Sequence, residues 1–129
     1  MHVRATIEKA TLGVIAAGLV VHIYTAVFKS QGGPSIFLLA LGLASMIPYG
    51  LAYLVGTRSK TAAAGLGAAC ACLAGDLFMH YSVFVAPKGS TAALGLLFMP
   101  VWNLFLIGPS GAIVGWTIHR VLQRADDAP

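Results

Sequence analysis

Cys72, Asp76 and His80 stand four residues apart in one apolar run. At 3.6 residues per turn, that spacing lines them along one face of one helix. Asp76 is the sole carboxylate inside any of the long apolar stretches of the chain. A charge in hydrocarbon is costly and is rarely kept without a partner or a task, so this residue is the leading candidate for chemistry. At i and i+4, Asp76 and His80 can meet directly, as a charged pair or around a shared proton. Burial penalises the charged carboxylate, whereas a protonated imidazole beside it favours the charge.

These residues need elements to position them, and the hydropathy pattern supplies four. A membrane-spanning helix takes roughly 20 apolar residues, and helices are expected at approximately 8–28, 35–55, 61–86 and 91–121, with a short polar tail over 122–129. The connections between them are short, which forces neighbouring helices to run antiparallel. The expected fold is an all-α integral membrane four-helix bundle, one domain over residues 1–129. Arg4 and Lys9 before the first run suggest a signal peptide, but the run exceeds the usual apolar core of such a segment and lacks a cleavage site, so a retained helix is expected. Arg4, Lys9, Arg58, Lys60, Arg120 and Arg124 fall on one side of such a bundle and only Lys29 and Lys88 on the other. Basic residues collect on the cytoplasmic side, so both termini are expected there.

With that orientation the third helix runs outward. Counting 1.5 Å per residue from Ala86 puts His80 about 9 Å and Asp76 about 15 Å below the outer boundary, the latter near the middle of a core of about 30 Å. Counting inward from Thr91 puts Asn103 about 18 Å down, which makes it a hydrogen-bond partner for Asp76. Tyr49, Cys72 and Met79 are candidates for lining a cavity beside this pair. His22 lies six residues before Phe28, the same distance from its helix end as His80 is from Ala86. Two histidines at equal depth could ligate the iron of a haem b axially, with Lys29 and Lys88 against its propionates. A metal ion held by Cys72, Asp76 and His80 would need a further ligand, His22, because one helical face cannot supply a tetrahedral set.

Small side chains allow close helix approach in lipid. The third run opens on Ala62, Ala63, Ala64, Gly65, Leu66, Gly67, Ala68 and Ala69, so its inner half should be enclosed by protein. Gly111 with Gly115 on the fourth helix, and Gly13 with Ala17 on the first, are further small-residue pairs. Pro48, Pro100 and Pro109 each remove a backbone donor. They free the carbonyls of Ala44, Leu96 and Phe105, either for a neighbouring hydroxyl or for an ion in a discontinuous-helix site. With Gly108, Ser110 and Gly111 around it, Pro109 either kinks the fourth helix or reverses the chain.

Composition narrows the function classes. Of 129 residues, 58% are hydrophobic and 9% charged, against about 25% charged in soluble domains. The net charge of +4 is not arranged as a basic stripe interleaved with aromatics, so nucleic acid is not an expected partner. Cys70 and Cys72 point apart on a helix and cannot pair with each other. No nucleophile with a neighbouring base, phosphate-binding glycine loop or metalloprotease histidine motif supports an enzyme. Three classes remain. The first is a proton- or ion-coupled transporter or channel using Asp76, His80 and Asn103, and the second is an accessory subunit of a larger membrane complex. The third is a redox protein with haem on His22 and His80. The lipid bilayer is an expected partner, as is a second copy or a larger membrane complex, and a bacterial inner membrane is the expected location.

In size and helix count the chain resembles the small multidrug resistance transporters, short four-helix proteins that work as dimers. That family carries its coupling glutamate in the first membrane helix. Here Glu8 lies outside the first apolar run, and Asp76 on the third helix would take that role.

Overall fold

The computed structural model describes residues 2–29, 36–86 and 92–126, and the side chains of 2, 92 and 93 are left aside. Lys88, the second expected propionate partner, lies outside the described residues. The described chain is helical: α1 (His2–Phe28), α2 (Ile36–Arg58), α3 (Ala62–Phe84), α4 (Ala92–Trp102), a π-helical turn (Asn103–Ile107) and α5 (Gly108–Asp126). Four helical segments among the described residues are long and apolar enough to cross a membrane; the fourth, Leu94–Asp126, runs unbroken through α4, the π turn and α5. The first helix begins at His2, ahead of the expected residue 8, and the last continues to Asp126, past the expected end at 121.

The polarity of the bundle is inverted. Phe37, Leu43, Phe78, Phe105 and Ile113 are exposed, while Thr11, His22, Ser45, Asp76 and Asn103 are buried. Large apolar side chains on the outside and polar ones on the inside suit a hydrocarbon solvent, where polar groups must find partners within the protein. Four spans of this length and this outward apolar face are the properties of an integral membrane protein.

Helix α3 is the centre. It packs against α1, α2, α4, the π turn and α5, whereas α1 touches only α2 and α3 among the described elements. Its small residues make this possible: Ala62, Ala64, Gly65, Ala68, Ala69 and Cys72 are all buried. Gly65 lies against Gly56 of α2, and Gly67 against Gly111 and Gly115 of α5, backbone to backbone. Gly13 behaves differently from the expectation. It is exposed, with no atom near the place a Cβ would take. One turn and a half further on, Gly18 is the packed glycine of α1, where a Cβ would come 2.7 Å from Tyr49 Cζ.

Pro109 does not reverse the chain. It sits second in α5, inside a helical segment that continues from α4 through the π turn. The preceding turn widens so that the Gly108 N–H donates to the Asn103 carbonyl, five residues back. Such π turns recur at functional sites. At the opposite end of the chain, Arg4 donates through Nη2 to the Thr57 carbonyl at 2.6 Å and through Nε to Glu8 at 2.9 Å. The start of α1 is thereby tied to the end of α2.

Candidate functional site

Asp76 is fully buried, and its carboxylate receives one polar group from each of the other three spans. From α2, the Tyr49 hydroxyl donates to Oδ2 at 2.7 Å. From α1, His22 Nε2 faces the same oxygen at 3.1 Å. From the π turn, Asn103 Nδ2 donates to Oδ1 at 2.8 Å. An ionised carboxylate is an acceptor only, so it can take all three when His22 carries its proton on Nε2. Tyr49 and Asn103 are themselves completely buried, and His22 nearly so. The site is therefore a closed polar knot at the middle of an apolar bundle.

The local sequence explains how each group arrives. Asp76 lies two turns beyond the small-residue half of α3, where neighbouring helices already approach closely. Tyr49 follows Pro48 in α2, and its ring rests in the gap left by Gly18. Asn103 is the first residue of the π turn. Its carbonyl takes the Gly108 N–H, and Cys72 Sγ approaches the same oxygen at 3.9 Å.

His80 is placed differently from the expectation that it pairs with the Asp76 carboxylate. Its Nδ1 lies 2.7 Å from the Asp76 backbone carbonyl. A carbonyl can only accept, so Nδ1 holds the proton and Nε2 keeps the lone pair of the neutral ring. The i, i+4 spacing brings the residue back over the preceding turn, but the carboxylate is turned toward the other helices. His80 instead meets His22 edge to face, with ring centroids 5.3 Å apart and planes at 66°. Two imidazoles in contact leave no slot for a macrocycle between them, so this arrangement does not fit a haem as it stands. Cys72, Asp76 and His80 do not converge either: among the described residues no group of three or more such side chains could hold a metal ion.

A cavity of about 20 Å³ adjoins the knot, with Asp76, His22, His80, Ser45, Thr25 and Met99 among its walls. Cys72 packs with Tyr49, Ala52, Ala68 and Ala69, away from it. Met79 fills the space beside Gly95 of α4. Of the residues singled out from the sequence, the structure thus brings Asp76, Asn103, Tyr49 and His22 into direct contact, sets His80 beside them and leaves Met79 in a helix contact.

Tyr49 as a direct donor, and His22 as a partner of the carboxylate, were not read from the sequence. Depth could have found the tyrosine: it lies 14 residues past Ser35, or about 21 Å at 1.5 Å per residue, close to the level of Asn103. No comparable signal points to His22, whose reach to Asp76 depends on how α1 crosses α3. Among the described residues one buried side-chain polar atom, Asn103 Oδ1, has no partner. Turned over, the same amide would accept a hydrogen bond from a protonated Asp76, so Asn103 can serve both states of the carboxyl.

The chain matches no protein family, no curated protein and no solved structure at a significant level.

Proposed function

We propose that this is a small transporter or channel coupled to protons or ions, with both termini cytoplasmic, in which Asp76 is the group that gains and loses a proton. The observation that carries this reading is the central carboxylate with His22 bonded to it and a small cavity alongside that Asp76, His22 and His80 help to line. Ionisable groups within membrane spans commonly mark ion pathways and proton relays. A change of charge at Asp76 would alter its bonds to three helices at once. That is how a local proton could become a movement of the bundle. The short basic ends fit a bacterial inner membrane, and four thin spans suit assembly with a second copy or a larger complex.

The test is proton entry into liposomes carrying the purified protein under an imposed pH gradient, followed with an internal dye. Wild type should acidify the lumen faster than empty liposomes, and Asp76→Asn should abolish the difference while remaining folded. Full flux in that variant would remove Asp76 from the mechanism.

A second reading, an accessory subunit of a membrane complex, draws on the saturation of the carboxylate by three donors and its complete burial. Such a knot would serve to fix helix register. This reading expects no flux from the isolated protein and stoichiometric co-purification with partners from gently solubilised membranes.

A further inference from the structure

We propose that the groove between α2 and α5 binds one anionic phospholipid, with an acyl chain along the groove and the phosphate held between Arg58 and Arg120. The inference goes beyond the transport reading and does not depend on it. The two helices barely touch each other. A groove of about 310 Å³ separates them, with Leu51, Val55, Ala68, Leu104, Pro109 and Ala112 among its walls. It is walled almost wholly by apolar groups and reaches the π turn at Asn103. From Pro48 on the groove wall to Arg58 beyond its end, α2 rises about 15 Å at 1.5 Å per residue. That is half of a hydrocarbon core of about 30 Å. The groove and its cationic end thus span the depth of one leaflet, which suits a lipid chain and not a partner helix that crosses both.

Helix periodicity and register bring the two arginines to the same end. Leu51, Val55 and Arg58 follow at i, i+4 and i+7 on α2, and Ala112, Trp116 and Arg120 at i, i+4 and i+8 on α5. Each apolar wall therefore leads to an arginine on the same helix face. Gly56 of α2 lies against Gly65 of α3, and Gly115 of α5 against Ala63. Both contacts are at the start of α3, so Arg58 and Trp116 stand at about one level. Arg120 reaches back to that level, with its guanidinium 5.2 Å from the Trp116 ring centroid. Trp116 is exposed, an aromatic suited to the membrane surface.

Arg58 and Arg120 are both exposed, and the ion pairs among the described residues are Arg4 with Glu8 and His22 with Asp76. Neither arginine therefore has a carboxylate partner among those residues. A guanidinium presents its N–H donors as a planar fork, which phosphate oxygens accept in pairs. Uncompensated arginines at the end of an apolar groove match a molecule with an apolar chain and a phosphate head. A second copy matches less well. A two-fold axis along the membrane normal would set this face against itself, and the arginines of one chain would then face those of the other. The larger groove between α1 and α3 lacks the feature, with Lys29 the sole lysine or arginine among its described walls.

The experiment places the full chain in phosphatidylcholine vesicles, with Trp102→Phe so that Trp116 is the sole tryptophan, and reads quenching of Trp116 by lipids with brominated acyl chains. Brominated phosphatidylglycerol should half-saturate the quenching at a mole fraction about tenfold or more below brominated phosphatidylcholine. The preference should fall as salt rises. Arg58→Gln and Arg120→Gln should each reduce it about fivefold. Val55→Phe narrows the groove without touching a charge and should reduce it as far; Leu51→Phe, on the same wall, takes its place if circular dichroism shows a loss of helix. Lys9→Gln removes a charge from α1 and should leave the preference unchanged. Equal half-saturation by the two lipids overturns the proposal, as does an unchanged preference in the folded arginine or groove variants. An equal loss in Lys9→Gln means diffuse attraction to a basic surface and discards the site. Quenching by neither lipid means that a second copy covers the face, and overturns the proposal as well.

Discussion

At the scale of the residue, the site is decided by how many donors one carboxylate collects. Tyr49, His22 and Asn103 approach Asp76 within 3.1 Å, and hydrogen bonds to charged groups are worth about 1.5–3 kcal/mol each, against about 0.5–1.5 for neutral ones. For an ionised Asp76 receiving three donors the larger figure applies. Tyr49→Phe should therefore lower the stability of the bundle by about 1.5–3 kcal/mol, read from denaturant titration in micelles. A loss below about 1 kcal/mol would mean that Tyr49 is bonded to a neutral carboxyl. Asp76→Asn is expected to cost about 1–3 kcal/mol, because its new NH₂ group must stand among donors and one of them loses its acceptor. It should still fold, since the side chain keeps its shape, and helix content by circular dichroism checks that. The flux assay in liposomes then reads function separately from stability.

At the scale of the element, glycine positions carry the packing, and two of them separate a real contact from a sequence pattern. Gly18 is covered by the Tyr49 ring, whereas Gly13 faces outward with nothing near it. Overpacking a filled site costs about 1–3 kcal/mol, and a change on an open face usually stays within about 0.5. Gly18→Val should accordingly depress the thermal midpoint in micelles while Gly13→Val leaves it nearly unchanged; both changes place a β-branched residue in the same helix, so propensity cancels. Equal effects would mean that Tyr49 does not rest on α1. This pair also marks the limit of reading the sequence. The small-residue half of α3 was legible because a run of alanines and glycines faces protein on any side. Gly13 with Ala17 was not, because a single pair has one face and the sequence does not say which way it points. Asn103 could be brought to Asp76 by depth alone, since rise per residue is constant. The partner of His80 could not, because it depends on which side of α3 the carboxylate turns toward. The π turn was hidden as well: Pro109 announces a disturbance, but whether the helix bends, reverses or widens by one residue is settled by packing around Gly108 and Cys72.

At the scale of the whole molecule, length and charge together set the topology. The fourth span is a helix of 33 residues, about 50 Å at 1.5 Å per residue, against a hydrocarbon core of about 30 Å. Roughly 20 Å must therefore project from the membrane, or be taken up by tilt. The projecting part should be the end of α5, where His119, Arg120, Gln123 and Arg124 gather and polar side chains interrupt the apolar run. Arg120 lies over the Trp116 ring at 5.2 Å, which joins this basic end to an aromatic suited to the membrane interface. Arg4 and Arg58 belong to the same end of the bundle, because Arg4 is bonded to the Thr57 carbonyl and α5 packs through Gly115 on Ala63 at the start of α3. In the proposed topology four crossings return the chain to the side from which it started, and the bias of positive charge would put that side in the cytoplasm. A cysteine placed at Gln123, in a background with Cys70 and Cys72 replaced by alanine, should be silent to an impermeant maleimide in intact cells and react once the membrane is opened. A cysteine at Thr6 should behave the same way. Opposite responses at the two positions would mean that one of the four helices does not cross, and the long fourth segment with its π turn would be the one to examine. Reaction of both in intact cells would invert the bundle and bring the His80 end of α3 to the cytoplasmic half.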